Sequence, residues 1–356
     1  MKGAIIGAGF AGNVHAEAMR ACGVEIQAII CLEEQQAKDF AEKWGIPIYG
    51  EDVALALQSE IDVVHICTPP TTHGELIKCA LKAGKHVVCE KPLCLEDEEA
   101  QEIIELEKET GKKCTLMLNV RYHMACQKAK QVIESGELGK VLMVHGNYMQ
   151  EFSALPAPFD WRYNATVAGK MRTVTELGTH WFDIVQYVSG EKVERVSAQF
   201  GKFNKKRILK DGYTYPLESE VEGECVEVAS EDAAVVNLQC SNGVIGSVVL
   251  SGVSQGRGNR LSWEITCQNG NIWWNEEENN VLSIAKKGQG ICQKMFAFGN
   301  GFSDTFATLI KSFYMGLGNN KSYETYPSFD EGAKVCRICN AIYNSSENDS
   351  RWVEVQ

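Results

Sequence analysis

The stretch that most limits how this chain can fold lies at its start. Ala4-Ile5-Ile6 is a short apolar run, and Gly7-Ala8-Gly9-Phe10-Ala11-Gly12 follows it without a break. Val14, Ala18, Met19 and Cys22 then mark one face of a helix. Strand, glycine turn and helix in that order build the opening unit of a dinucleotide-binding fold. Gly7 permits the tight turn, Gly9 lets backbone approach a pyrophosphate, and Gly12 lets helix and strand pack closely. The N–H groups at Phe10, Ala11 and Gly12 then face the phosphates. A purely structural strand-to-helix turn is the alternative.

The pattern continues as a βα alternation. A second strand at 25–30 ends at Cys31, about where such folds place an acid for the ribose diol. Here Cys31 is followed by Leu32, Glu33 and Glu34. No basic residue is at hand for a 2′-phosphate and the glutamates would repel one, so NAD is favoured over NADP. Helices at 33–44 and 52–58 lead to the strand 61–67, whose end runs into Thr68-Pro69-Pro70-Thr71-Thr72-His73. Thr68 and Pro69 belong to a loop whose path the prolines fix beside the cofactor. His73 reads either as a ligand contact or as a helix-start or packing histidine. A helix at 74–83, a strand up to Cys89, a helix at 96–110 and a strand at 114–118 complete a parallel-sheet signature.

At the end of the strand Lys85-His86-Val87-Val88-Cys89 stands Glu90-Lys91-Pro92. Ligands of open α/β sheets bind outside the carboxyl ends of the strands, so a carboxylate and an ammonium at this point are well placed for chemistry. A strand-end salt bridge before a helix-starting proline is the plainer reading.

From about Val120 the alternation stops. One helix at 125–135 is followed by β-like segments at 141–149, 193–203, 233–239, 244–251, 261–267 and 271–274. Asn242-Gly243 and Asn269-Gly270 are suited to hairpin turns between them. The expected architecture is α/β followed by α+β. A Rossmann doubly wound parallel sheet at 1–120 precedes a domain at 121–356 with a large, mostly antiparallel open sheet covered by helices. The basic run 202–207 reads as a solvated loop. Within Thr175-Glu176-Leu177-Gly178-Thr179-His180, Glu176 and His180 are four apart and share a helical face. A carboxylate there orients an imidazole and stabilises its charged form. Trp161 and Arg162 suit a polyol, an aromatic face covering C–H groups while a guanidinium binds hydroxyls. Core packing and an ordinary salt bridge are the other readings of those two.

Composition narrows the partners. A net charge of -12 argues against nucleic acid and anionic membranes, which demand concentrated positive charge. No apolar run is long enough to span a bilayer. Fourteen cysteines lie scattered through apolar segments, and the chain enters a strand at once, so reduced thiols in a cytoplasm are expected. Cys336-x-x-Cys339 lies in an amphipathic helix without a second ligand pair, and no metal is expected there. A broad sheet face favours a homodimer or homotetramer.

The glycine turn, the Cys67-Thr68-Pro69-Pro70 loop with His73, and the run from Ala83-Gly84-Lys85 to Glu90-Lys91-Pro92-Leu93 resemble the Gfo/Idh/MocA oxidoreductases, which include glucose–fructose oxidoreductase and inositol dehydrogenase. Asn119-Val120-Arg121-Tyr122, Phe159-Asp160-Trp161-Arg162-Tyr163-Asn164, the Glu176–His180 segment, Gly256-Arg257-Gly258-Asn259-Arg260 through Trp274, and residues 302–306 extend the resemblance over nearly the whole chain. It implies cofactor contacts at Gly7, Gly9, Phe10, Ala11, Gly12, Cys31, Thr68, Pro69, His73, Glu90, Lys91 and Asn119. It implies a Lys91 that meets nicotinamide ribose and substrate, commonly beside a cis Lys–Pro bond. It further implies His180 as acid/base, and Glu176 orienting it where the family usually carries aspartate. Tyr122, Trp161, Arg162 and Arg172 are the implied substrate contacts.

The function expected from these residues is NAD-dependent oxidation of a secondary alcohol on a sugar, sugar derivative or cyclitol. Two alternatives stand beside it. One is a glycosidase that recycles its NAD through oxidation, elimination and re-reduction. The other is a non-catalytic dinucleotide-binding sensor.

Overall fold

The computed structural model describes residues 1–158, 161–299, 301–318 and 325–356, apart from the side chain of Ala165. Phe159 and Asp160, part of the aromatic segment singled out above, lie outside the described residues. The chain forms two compact units, Met1–Tyr122 with Gly301–Cys336, and His123–Asn300 with Arg337–Gln356.

The first unit alternates β1 (Lys2–Ile6), α1 (Phe10–Ala21), β2 (Glu25–Ile30), α2 (Glu34–Trp44), β3 (Ile48–Gly50), β4 (Val63–Ile66), α3 (His73–Lys82), β5 (His86–Cys89), α4 (Asp97–Thr110) and β6 (Cys114–Leu116). The six strands pair in parallel in the order β3-β2-β1-β4-β5-β6. Chain order reverses between β1 and β4, and the crevice outside their carboxyl ends is where such a sheet binds dinucleotides. The strands are buried on both faces, so β4 (Val63, Val64, Ile66) and β5 (Val87, Val88, Cys89) read as near-continuous apolar runs. The helix expected at 52–58 is a 3₁₀ turn, Val53–Leu57, whose start is capped by Asp52 accepting from Ala54 N.

The segment 301–336, expected in the second domain, packs with the first unit instead. Phe306, Leu309, Ile310 and Phe313 of the helix Phe302–Leu317 are buried against Ile5, Val14, Ala18 and Met19. At about 1.5–3 kcal/mol for each large apolar side chain removed from water, four such residues settle where the helix lies. On the other face, Phe329 and Ala333 join Leu93, Cys94 and Leu116.

The second unit is built on nine strands. Their order is Ile291–Met295, Val281–Lys286, Gly270–Asn275, Arg260–Cys267, Val141–Met149, Ile245–Ser251, Ala233–Cys240, Val193–Gly201 and Val353–Glu354. The pairing is antiparallel except between Val141–Met149 and Ile245–Ser251. The hairpin between Ala233–Cys240 and Ile245–Ser251 turns on Asn242 (φ 58) and Gly243 (φ 77), the two positive-φ positions such short turns require. A small sheet joins Glu224–Glu227, Lys206–Lys210, Tyr213–Pro216 and Ala157–Pro158. It corrects the reading of 202–207 only at its end: 202–205 are a largely exposed loop, whereas Lys206 and Arg207 begin the strand Lys206–Lys210. Arg207 is buried and donates to the carbonyls of Ser153, Leu155 and Thr214, satisfying backbone that would otherwise be unpaired. No helix among the described residues is long and apolar enough to cross a membrane.

Candidate functional site

The glycine turn of the first unit is closed to side chains at Gly7 and Gly12 and open at Gly9. Gly7 has φ +105, and a Cβ there would lie 2.6 Å from the Cys67 carbonyl oxygen. A Cβ on Gly12 would run into the carbonyl oxygen of Gly7, so α1 can approach the turn only with glycine at this position. A Cβ on Gly9 would meet nothing within 4 Å. Gly9 is also the N-cap of α1 and no side chain caps it. The first-turn N–H groups of Phe10, Ala11 and Gly12, which have no intrahelical partners, are therefore left for an anion. The turn fits a dinucleotide phosphate.

Two substitutions separate these roles. Gly9→Val should leave stability within about 0.5 kcal/mol, as for an open surface position. It should weaken NAD binding by about tenfold or more, since 1.4 kcal/mol of lost contact suffices. Gly12→Ala should destabilise the protein by about 1–3 kcal/mol through overpacking. Calorimetric NAD titration and urea unfolding check both.

Around the turn, Cys31 follows β2 with its thiol buried against the Ala8 backbone, and burial pushes its pKa up to about 11. Leu32, Glu33 and Glu34 follow it exposed. The Thr68 hydroxyl accepts from Thr72 Oγ1 at 2.7 Å, and Thr72 also donates to the Pro69 carbonyl. His73 is fully buried, with Nε2 2.8 Å from Thr68 O and Nδ1 2.7 Å from Pro92 O. It lies between the two loops that frame the crevice, neutral and with a single N–H that one of these carbonyls accepts, and both ring nitrogens face backbone rather than a ligand. Asn119 is likewise inward, donating to Thr305 Oγ1 at 2.8 Å, and Tyr122 is packed in the apolar core. Glu90 follows β5, accepts Lys91 N–H on Oε2 at 3.2 Å, and faces His15 Nε2 with Oε1 at 3.2 Å. The Lys91–Pro92 bond is cis.

His65 and His73 are both wholly buried. Burial, reinforced by the neighbouring His15, pushes the His65 pKa well below 6.5, and burial outweighs two carbonyls in lowering that of His73. Once unfolded, each binds its proton near pH 6.5, so the unfolded chain holds more protons as the medium is acidified. Stability should therefore fall as pH drops below about 6.5. Urea midpoints at pH 7.5 and 5.5 test this, and His65→Leu should flatten the difference.

In the second unit Glu176 and His180 sit where a π-helical turn, Val174–Gly178, runs into the helix Thr179–Ser189. Such turns recur at functional sites. From residue 171 to 185 every residue is buried except Glu176 and His180, so the stretch presents those two groups alone. Arg162 Nε donates to Glu176 Oε2 at 3.2 Å, and its guanidinium lies 4.4 Å from the centre of the Trp161 ring. The Tyr148 ring is 6.4 Å from that of His180. Its hydroxyl donates to Asn259 Oδ1 at 2.8 Å, and Gln150 Nε2 donates to the same atom at 2.6 Å. Sequence reading passed over Tyr148 and Gln150, whose only signal is their position at the end of the strand Val141–Met149 and just beyond it.

Arg172 is placed differently from its expectation. It is buried, with Nη2 2.6 Å from Asp232 Oδ1 and its backbone N–H directed at the Glu231 carboxylate. The described contacts commit it to the interior of the second unit.

A six-stranded parallel sheet with a phosphate-accepting glycine turn, and a strand-end Glu-Lys-Pro, define a dinucleotide-dependent enzyme. The profile of the oxidoreductase family with an NAD-binding Rossmann fold matches residues 1–118, and that of the GFO/IDH/MocA C-terminal domain matches residues 126–273. The chain belongs to the Gfo/Idh/MocA oxidoreductases, and it is an NAD-binding oxidoreductase. It is 28% identical to levoglucosan dehydrogenase of Pseudarthrobacter phenanthrenivorans, over 99% of this chain and 97% of that one. It is 27% identical to myo-inositol 2-dehydrogenase of Thermotoga maritima, over 100% and 99% of the two chains. The solved structure of levoglucosan dehydrogenase with NADH and L-sorbose matches with a TM-score of 0.92 at 27% identity, covering 100% of this chain and 99% of the other.

Proposed function

We propose that the protein is an NAD-dependent dehydrogenase that oxidises a secondary alcohol of a sugar, sugar derivative or cyclitol. The observation that carries this reading is that Glu176 and His180 alone are partly accessible in an otherwise buried stretch, in a chain whose Lys91 stands just past a Rossmann strand. The names of the relatives, levoglucosan and myo-inositol dehydrogenases, support the substrate class.

Bound NAD supplies a two-electron acceptor for the hydride of the carbinol carbon. His180 takes the hydroxyl proton as general base, and Glu176, itself held by Arg162, orients the imidazole. The Lys91 ammonium stabilises the alkoxide as charge develops. Trp161 and Arg162 bind the polyol through its C–H face and hydroxyls. Loss of one proton and one hydride gives the carbonyl product. Glu33 and Glu34, exposed past β2, disfavour a 2′-phosphate and so NADP.

The test is absorbance at 340 nm with NAD or NADP and a panel of inositols, aldoses, anhydrosugars and glycosides. NADH formed from a free sugar or cyclitol, and abolished in Lys91→Ala and His180→Ala, is the expected result. Release of an aglycone without net NADH would replace this reading with a glycosidase that recycles NAD.

A further inference from the structure

Four polar groups of the first unit that this chemistry does not use are strung together, although they come from four separate elements. Tyr314 Oη lies 2.9 Å from His65 Nε2, His65 Nδ1 lies 2.9 Å from His15 Nδ1, and His15 Nε2 lies 3.2 Å from Glu90 Oε1. They stand on the helix Phe302–Leu317, on β4, on α1 and just past β5. Both imidazoles are 0% exposed. Burying such rings is costly unless their nitrogens are partnered, and here all four are. β1 leaves the space, because a methyl on Gly3 would come within 3.0 Å of Tyr314 Oη.

The direction of the chain follows by elimination. Where two Nδ1 atoms face each other, one carries the proton and the other accepts. His65 is neutral, since burial and its neighbour disfavour its charge, so it has a single N–H. If that proton is on Nδ1, His65 donates to His15 and accepts the Tyr314 O–H at Nε2. His15 then carries its own proton on Nε2 and donates to Glu90. Every contact is satisfied with both rings uncharged, and all donors point toward the carboxylate. If the proton were on Nε2, His15 would have to donate from Nδ1. Its Nε2 would then either turn a lone pair on Glu90 or hold a second proton and a buried charge.

The carboxylate at the end of this chain is bound at both oxygens, by His15 on Oε1 and by Lys91 N–H on Oε2. We propose that His15, backed by His65 and Tyr314, is a positioning residue that fixes Glu90 and thereby the backbone from which Lys91 reaches its ligand. The kinetic part rests on the role given above to Lys91; the proton order does not.

The first experiment is ¹⁵N NMR of histidine-labelled, NAD-free protein near neutral pH. His65 is expected as the Nδ1–H tautomer and His15 as Nε2–H. In Tyr314→Phe, which removes one oxygen and keeps the ring, the unprotonated Nε2 signal of His65 should shift for loss of its donor. In steady-state kinetics His15→Ala should lower kcat about tenfold, the factor that ~1.4 kcal/mol represents and near the low end for a hydrogen bond to a charged group. His15→Gln, whose amide N–H stands near the place of Nε2, should restore most of that loss. An Nε2–H His65, a doubly protonated His15, or a glutamine variant no better than alanine at equal Tm would each overturn the proposal. If the wild-type protein oxidised no sugar or cyclitol, the Lys91 role would fall, and the tautomers, read without NAD or substrate, would still decide the direction of the chain.

Discussion

Replacing His180 by asparagine should lower kcat by about 10²–10⁴-fold, the usual worth of a positioned general base, with NAD affinity unchanged. Asparagine fills similar space and keeps a polar tip but cannot take a proton at neutral pH. The loss should therefore appear in kcat and in the pH profile, whose limb for deprotonation of the base disappears. Glu176→Gln should produce a smaller loss, because in the proposed mechanism it removes only the charge that orients and stabilises the imidazolium. The carboxylate of Glu176 is held 3.2 Å from Arg162 Nε, which gives the longer acid a fixed anchor where the family usually carries aspartate. Initial rates of NADH formation across pH, with calorimetric NAD titrations, measure both variants. Wild-type rates from His180→Asn would remove the residue from the reaction.

What could be seen in the sequence was whatever is written locally. Gly12 is constrained by the carbonyl of Gly7, five residues away, and Glu90-Lys91-Pro92 follows directly on its strand, so their placement follows from spacing alone. The Asn242-Gly243 hairpin is legible for the same reason. Other features were not legible, most of them because distant chain segments decide them. The helix Phe302–Leu317 carries an apolar face that would suit either unit, and only its contacts with Ile5 and Met19 assign it to the first. Lys206 and Arg207 look like solvated charges, yet three backbone carbonyls draw Arg207 inward. Asn119 lies next to a cofactor motif, but its side chain donates to Thr305 of the helix Phe302–Leu317, whereas the packing reading of His73 is the one the structure bears out. The π turn at Val174–Gly178 also left no mark, since one inserted residue in a helical run leaves the apolar pattern nearly intact. The Tyr314–His65–His15–Glu90 chain could not have been read at all. Its four members are spread over 300 residues, and each alone is an ordinary core or strand-end residue.

Arg172→Ala should destabilise the second unit by about 3–5 kcal/mol, the cost of leaving a buried carboxylate without its cation. Asp232 is 1% exposed, and its Oδ1 takes Arg172 Nη2 at 2.6 Å while Oδ2 accepts Phe203 N and Asn204 N, each at 2.7 Å. With the guanidinium gone, two backbone donors remain to support a full charge in the interior. For a unit of this size, the loss corresponds to a fall in Tm of roughly 6–20 °C. Arg162→Ala should lower stability by less than about 1 kcal/mol, because its pair with Glu176 is partly open to water. The double variant Arg172→Ala, Asp232→Asn should recover much of the loss, since an amide needs no counter-charge. Thermal and urea unfolding of the four proteins, followed through the tryptophans of the second unit, gives the comparison. The competing idea, that Arg172 meets substrate as its place upstream of His180 suggests, predicts the reverse pattern. It requires an unchanged Tm and a higher KM for the alcohol. A protein that melts early but keeps the wild-type KM at low temperature places Arg172 among the residues that hold the Glu176–His180 segment in shape.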